Sequence, residues 1–257
     1  MKGCRHLSII GDHKQLPPVV TSVEAKQGGL SRSLFERLIR SESNIPSTML
    51  NVQFRMHPSL AEFPNKTFYD GALENGQGTE LIAPVASSYW PSSSGGTAER
   101  DAHRLCFIDH KGRESKAENS TSLCNAPEAR IVVDVVVDLL RRNPELTGDD
   151  IGVVTPYAGQ QILLEKMLHN EASPARQQAA SALATRSSQL GCIDIHTVDG
   201  FEGREKKVII FSTVRTNAQG YVGFLADGRR LNVALTRAQS ALFLIGNIET
   251  STVGQEA

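Results

Sequence analysis

No phosphate loop of the form G-x-x-x-x-G-K-[ST] occurs in the 257 residues, and no apolar strand ends in an Asp-Glu pair of the kind that holds magnesium. Gly71–Gly78 is glycine-rich but has neither the lysine nor the hydroxyl such a loop needs. Cysteine is scarce. Cys4, Cys106, Cys124 and Cys192 lie far apart and form no C-x-x-C pair, which argues against a zinc cluster or disulfide framework and for a reducing compartment. Aromatic residues make up 5% of the chain, too few for a base-stacking surface of the single-strand-binding type. The formal net charge is −1, so any nucleic-acid contact must come from a local patch or from backbone groups. No apolar run reaches membrane-spanning length, and the N-terminus has no secretory hydrophobic stretch. The expectation is a soluble intracellular protein, nuclear or cytoplasmic, with no membrane partner and no metal site of its own.

What is present suffices for one good-sized core, since 40% of the residues are hydrophobic. The pattern predicts strands at His6–Ile10, Leu105–Asp109, Ile151–Val154, Cys192–Ile195 and Lys207–Val214, alternating with helices. A helix is expected over Ser31–Arg40 with Ser31 as its cap, and another from Pro58 that turns Leu60, Ala61 and Phe63 to the core. Asn125–Arg142 carries apolar pairs at a four-residue step, which reads as a helix despite its valines; Asn125 and Glu128 form a capping-box-like start. A further helix runs to Leu168. Residues 83–103, with Trp90 and a Ser/Gly run, read as a long surface loop, and residues 171–190 as a poorly packed polar insertion. Alternating strands and helices imply an α/β fold with a mostly parallel sheet.

The stretch Arg229–Gly246 organises the rest. Leu231, Leu235 and Ala238 fall at helical spacing, Arg230 and Arg237 share another face, and Ala241–Gly246 reads as a short buried strand. Taken alone, Arg237 is a solvated surface arginine, because arginine is seldom buried without a partner.

Five segments change that weighting: GDHKQLPP, LNVQFRMHP, VVTPYAGQ, HTVDGFEGREKKVIIFSTVR and LNVALTRA. Their order resembles that of superfamily 1 helicases, in the branch of the nonsense-mediated-decay helicase and senataxin. The resemblance runs from Gly11 to Gly246 and implies a RecA-like fold of the P-loop NTPase class. Its expected domains are a remnant of a first RecA-like domain at 1–28, a second RecA-like domain at 29–248, loop insertions at 83–103 and 171–190, and a tail at 249–257.

By the same resemblance, Gln15 senses the terminal phosphate and the attacking water, for which an amide both donates and accepts. Arg55 and Arg237 resemble the two arginines that reach the γ-phosphate, where a planar guanidinium stabilises developing charge. Asp12, Phe54, Gly203 and Glu205 fall among the nucleotide contacts: Phe54 against adenine, though it equally suits a core, and Glu205 on the ribose hydroxyl, though it could instead pair Arg204 or Lys206. Glu202 departs from the pattern, since many members have glutamine there; a carboxylate would repel phosphate unless it faces a cation. Thr155, Pro156, Tyr157, His196 and Thr197 follow strand ends and resemble sequence-independent nucleic-acid contacts. Tyr157 suits a helix-starting core position as well.

The resemblance therefore implies the C-terminal half of an ATP-dependent RNA or DNA helicase. ATP and Mg2+ would be bound mainly by a first RecA-like domain of the same protein, and single-stranded RNA or DNA would be the other partner. Without a phosphate cradle the chain alone should bind ATP poorly and hardly hydrolyse it. The alternative is a stand-alone regulatory or binding module without ATPase activity.

Overall fold

A computed structural model describes residues 6–40, 45–91, 103–172 and 186–253. Two short helices, α1 (Val23–Gln27) and α2 (Leu34–Arg40), precede a two-residue strand β1 (Val52–Gln53), which pairs in parallel with β2 (Glu74–Asn75) across helix α3 (Pro58–Phe68). Then come strand β3 (Leu105–Asp109), a small antiparallel hairpin of β4 (Ser115–Lys116) and β5 (Leu123–Cys124), and the long helix α4 (Ala126–Arg142). The remainder alternates: β6 (Ile151–Thr155), α5 (Ala158–Glu171), β7 (Asp194–Thr197), β8 (Lys206–Ser212), α6 (Gly228–Leu235), β9 (Ala238–Gly246) and α7 (Ile248–Val253). Five strands form one parallel sheet in the order β3-β9-β8-β6-β7.

The apolar run Val208–Phe211 in β8 explains why this sheet is covered on both faces. Successive side chains point to opposite sides. Val208 and Ile210 join the valines and leucines of α4 and Leu164 of α5, whereas Ile209 and Phe211 meet Leu60, Val233 and Leu235 from α3 and α6. Strands buried on both faces are near-continuous in apolar residues, and β6 is buried along its whole length.

Local signals account for most element starts. Asn125 accepts the Glu128 N–H at 3.1 Å and caps α4. The return half of the expected capping box is absent, because the Glu128 carboxylate is buried and accepts instead from His110, Ser212 and the Val214 N–H. Pro58 occupies the first turn of α3 and Leu60 and Ala61 are buried, but Phe63 faces outward and Pro64 takes the core position.

Other expectations need correction. Residues 6–10 form no strand, and Leu7 and Ile10 are exposed. The cap of α2 is Ser33, whose Oγ accepts from Glu36 N at 3.0 Å, not Ser31. Trp90 is not on a surface loop: it is buried, stacked on Phe243 with ring centroids 4.6 Å apart, and its Nε1 donates to the Val85 carbonyl at 2.9 Å. Cys192 closes a short 3-10 turn ahead of β7 rather than opening the strand. Of the two expected insertions, residues 92–102 and 173–185 lie outside the described residues, as does the tail from 254.

Candidate functional site

Helix α6 stops at Leu235, so Arg237 stands in the turn before β9 and shares no helix face with Arg230. Arg230 is tied instead to Asp199 and Asp227 at the surface. Arg237 is only 3% exposed. Its Nε donates to the Val233 carbonyl at 3.0 Å, and its Nη2 donates to Thr236 Oγ1 at 2.8 Å and to Gln15 Oε1 at 3.3 Å. Among the described residues no carboxylate lies at ion-pair distance from it. Burial, followed by the nearby Arg55 cation, lowers its pKa to about 10, while Tyr69, Glu202 and Glu205 act in the opposite sense. Glu202 is therefore near enough to Arg237 to favour its charged form.

Arg55 lies in the segment between β1 and α3. Its Nε donates to Glu205 Oε2 and its Nη1 to the Thr236 carbonyl at 3.0 Å. Glu205 also accepts from Gln239 Nε2 at 2.9 Å. Burial pushes its carboxyl up, but the hydrogen bonds from Arg55 and Gln239 and the charges of Arg55 and Arg237 outweigh that and hold it below the usual carboxylate range. Arg204 and Lys206 leave Glu205 free of them, because both face Asp194.

The Gly11–Gln15 turn packs against this cluster. Asp12 Oδ2 accepts from Gln15 Nε2 and from the Tyr69 hydroxyl, both at 2.7 Å, and its Oδ1 accepts the Lys14 N–H at 2.9 Å. Asn232, fully buried in α6, donates to the Lys14 carbonyl at 2.9 Å and to the Tyr69 oxygen at 3.0 Å. Phe54 is 70% exposed, and its ring covers Gly76, so it is not a core residue. Gly203 has φ +77, a conformation that glycine adopts without cost.

Gln15, Asp12, Arg55, Glu205 and Arg237 therefore meet at the N-terminal ends of β8 and β9. The nucleic-acid candidates lie at the opposite edge. Val154 and Thr155 of β6 are in register with His196 and Thr197 of β7, so Thr155, Pro156, His196 and Thr197 cluster at the C-terminal ends of those strands. The Thr155 hydroxyl is buried without a hydrogen-bond partner, and Thr197 Oγ1 accepts the Gly200 N–H at 3.2 Å. Tyr157 is buried and packs on Phe224, with its hydroxyl accepting from Arg215 Nη1 at 3.3 Å. Seven residues of β8 separate the two edges, roughly 20 Å at the rise of an extended strand.

Tyr69, Asn232, Thr236 and Gln239 went unrecognised in the sequence. A buried asparagine inside the apolar helix of LNVALTRA is a usable signal, since buried amides are retained where they have partners. Tyr69 carries no such mark, because its partner Asp12 is 57 residues away.

A buried guanidinium that meets only neutral acceptors, beside a second, partly exposed arginine, fits an anion such as a phosphate. Among the described residues no group of three or more acidic, histidine or cysteine side chains is placed to hold a metal ion.

A family described as an AAA domain matches residues 30–249. The chain is 36% identical over 246 residues to the "Regulator of nonsense transcripts 1 homolog" of Neurospora crassa, covering 95% of this chain and 20% of that protein. It is 39% identical over 250 residues to "Helicase sen1" of Schizosaccharomyces pombe, covering 96% of this chain and 13% of the relative. With "ATP-dependent helicase upf1" of the same yeast the identity is 38% over 248 residues, 95% of this chain and 24% of the relative. The chain thus spans less than a quarter of the length of these three relatives. With its parallel five-stranded RecA-like sheet, the chain belongs to the AAA-domain family and, within superfamily 1 helicases, to the branch of the nonsense-transcript regulators and Sen1.

Proposed function

We propose that this chain is the second RecA-like half of an ATP-dependent RNA or DNA helicase, residues 29–248, preceded by a short part of the first domain at 1–28. The observation that carries the reading is the meeting of Arg55 and Arg237 on one rim, with Arg237 buried and lacking a carboxylate partner. In this reading Arg55 and Arg237 receive the terminal phosphate of ATP, Gln15 contacts that phosphate and the attacking water, and Asp12, Phe54, Gly203 and Glu205 line the nucleotide. Phosphoryl transfer spreads charge over the nonbridging oxygens, and prepositioned guanidinium groups stabilise it without reorganisation. A first RecA-like domain supplies the phosphate loop and the Mg2+ ligands that these residues lack. Thr155, Pro156, Tyr157, His196 and Thr197 hold single-stranded nucleic acid at the far edge of the sheet. Closure of the two domains on ATP then moves that edge along the strand. An intracellular site of action, nuclear or cytoplasmic, belongs to the same reading.

The second reading is a regulatory or nucleic-acid-binding module without ATPase activity. Reconstitution separates the two. The chain, joined to a first RecA-like domain that carries the lysine, is assayed for ATP turnover with and without single-stranded RNA. Turnover that appears only on joining, and that Arg237→Ala lowers by about 10³-fold or more, supports the helicase half. Turnover that is indifferent to Arg237→Ala overturns the arginine assignment, and magnesium-dependent turnover by the chain alone overturns the division of labour.

A further inference from the structure

Tyr69 ends helix α3 and Asn232 sits in the middle of α6, so both belong to the packed α/β layer. The turn they hold, Gly11–Gln15, belongs to an N-terminal segment that forms no strand among the described residues. A single line of hydrogen bonds crosses from one to the other. Asn232 Nδ2 donates to the Tyr69 hydroxyl at 3.0 Å; the hydroxyl donates to Asp12 Oδ2 at 2.7 Å. That same oxygen accepts from Gln15 Nε2 at 2.7 Å, and Gln15 Oε1 accepts from Arg237 Nη2 at 3.3 Å.

Each link leaves the next with one choice. Asn232 donates to the tyrosine oxygen, so the tyrosine proton goes to Asp12. A carboxylate only accepts, so Gln15 must present its NH2 to Asp12 and its oxygen to Arg237. Burial and the Asp12 hydrogen bond push the Tyr69 pKa up to about 12, so the hydroxyl remains a donor throughout the physiological range. Asn232 is locked from a second side by its bond to the Lys14 carbonyl at 2.9 Å.

We propose that Tyr69 and Asn232 are positioning residues of a latch that, through Asp12, seats the Gln15 oxygen on Arg237 in competition with a terminal phosphate. The inference rests on the nucleotide site proposed above and adds its regulation. Arg237 Nη2 gives its two N–H groups to Thr236 Oγ1 at 2.8 Å and Gln15 Oε1 at 3.3 Å, so a phosphate oxygen that takes a place on Nη2 displaces the longer bond, to Gln15. A phosphate that takes the guanidinium dislodges Gln15, and the N-terminal turn is then held to the layer only through Tyr69, Asp12 and Asn232. Occupancy of one anion site is thereby reported to a different segment of the chain. A group that ends at the second phosphate does not reach Arg237 and leaves the latch closed.

The test uses the full chain, titrated with ATP and separately with ADP at millimolar concentrations and followed by nuclear magnetic resonance, with hydrogen exchange measured on the same samples. Tyr69→Phe keeps the ring and removes the proton donated to Asp12. The expected result is faster exchange at residues 12–16, about fivefold tighter binding of ATP, which is the worth of one net hydrogen bond, and unchanged binding of ADP. Asn232→Ala, which removes the donor to the Tyr69 oxygen and to the Lys14 carbonyl, gives the same changes if Tyr69→Phe disturbs folding. A purely structural role for Tyr69 would shift ATP and ADP alike, and that result overturns the latch. Unchanged exchange at residues 12–16 in both folded variants overturns it as well. ATP affinity left unaltered by Arg237→Ala overturns the nucleotide-site reading beneath it, whereas the exchange comparison decides the latch without nucleotide.

Discussion

Arg55 donates to Glu205 through Nε and to the Thr236 carbonyl through Nη1, so the residue directly before Arg237 is held by the arginine that faces it. The three segments involved are 150 and 181 residues apart along the chain from Arg55. Two cations thus share a rim because a carboxylate stands between one of them and solvent, and a backbone carbonyl between the two.

Glu205 is more than a third exposed, so its ion pair with Arg55 is screened by water and worth at most about 1 kcal/mol. Glu205→Gln should change the melting temperature by less than about 4 °C. Its carboxyl lies below the ordinary range, so its contribution is present above an unfolded value of 4.5 and is lost as pH falls through the lower folded value. A thermal melt at pH 7 and pH 4 checks both statements, and a drop near 10 °C at pH 7 would show that the pair is structural.

Arg237 carries a burial cost. Lowering its pKa from 12.5 to about 10 corresponds to roughly 3 kcal/mol of preference for the neutral form in the fold, at 1.36 kcal/mol per unit. The group stays protonated near neutrality, so that cost is fully present at pH 7 and is relieved only as pH rises through about 10. Arg237→Met should therefore leave the melting temperature unchanged or raise it by up to about 5 °C, while removing the response to ATP. Calorimetry with and without ATP reads both, and a loss of more than about 5 °C would mark the arginine as a structural residue.

Asp138 anchors the segment that brings Trp90 to the sheet. Its carboxylate accepts from Ser87 Oγ, Ser88 N, Ser88 Oγ and Arg142 Nε at 2.7 to 2.8 Å. Burial pushes its pKa up, but these bonds outweigh it and hold the group below its ordinary 3.8. The stabilisation is present above that value and falls away as pH drops through the folded one. Asp138→Asn should cost about 2–3 kcal/mol. It should also make the acid side of the stability profile shallower. Trp90 fluorescence reports the release, and an unchanged emission maximum in a destabilised variant would argue that the anchor lies elsewhere.

Separation of the two edges makes a prediction about selectivity. His196→Ala should weaken single-stranded RNA binding and leave nucleotide binding unaltered, and Arg237→Ala should do the reverse. Fluorescence anisotropy with a labelled oligonucleotide, alongside nucleotide titration, measures the two. An RNA defect from Arg237→Ala alone in the isolated chain would show that the rim and the far edge are one surface.

Gly159, in the first turn of α5, allows that helix to approach the hairpin of β4 and β5. A Cβ there would stand 2.7 Å from Ala117 Cβ and 2.9 Å from the Leu123 carbonyl oxygen. Gly159→Ala should cost about 1–3 kcal/mol despite the better helix propensity of alanine, because backbone must move. A denaturant melt showing stabilisation would refute the contact.

Much of this protein was legible in the residues one after another. The apolar run in β8 announces a strand covered on both faces, Pro58 a helix start, and Asn125 the cap of α4, since each acts within a few residues of itself. The order of the five motifs identified the helicase branch for the same reason, because each motif is a local string. Nothing local told that α6 ends two residues before Arg237 or that Trp90 belongs to the core. Those outcomes, like the placing of the nucleotide candidates and the nucleic-acid candidates at opposite edges, follow from packing. The bonds of Tyr69 to Asp12, Arg55 to Glu205, Asn232 to Tyr69 and Arg237 to Gln15 span 57, 150, 163 and 222 residues. Contacts over such distances arise only when helices and strands have already closed around a common core, so it is the tertiary structure that brought Arg55 and Arg237 together.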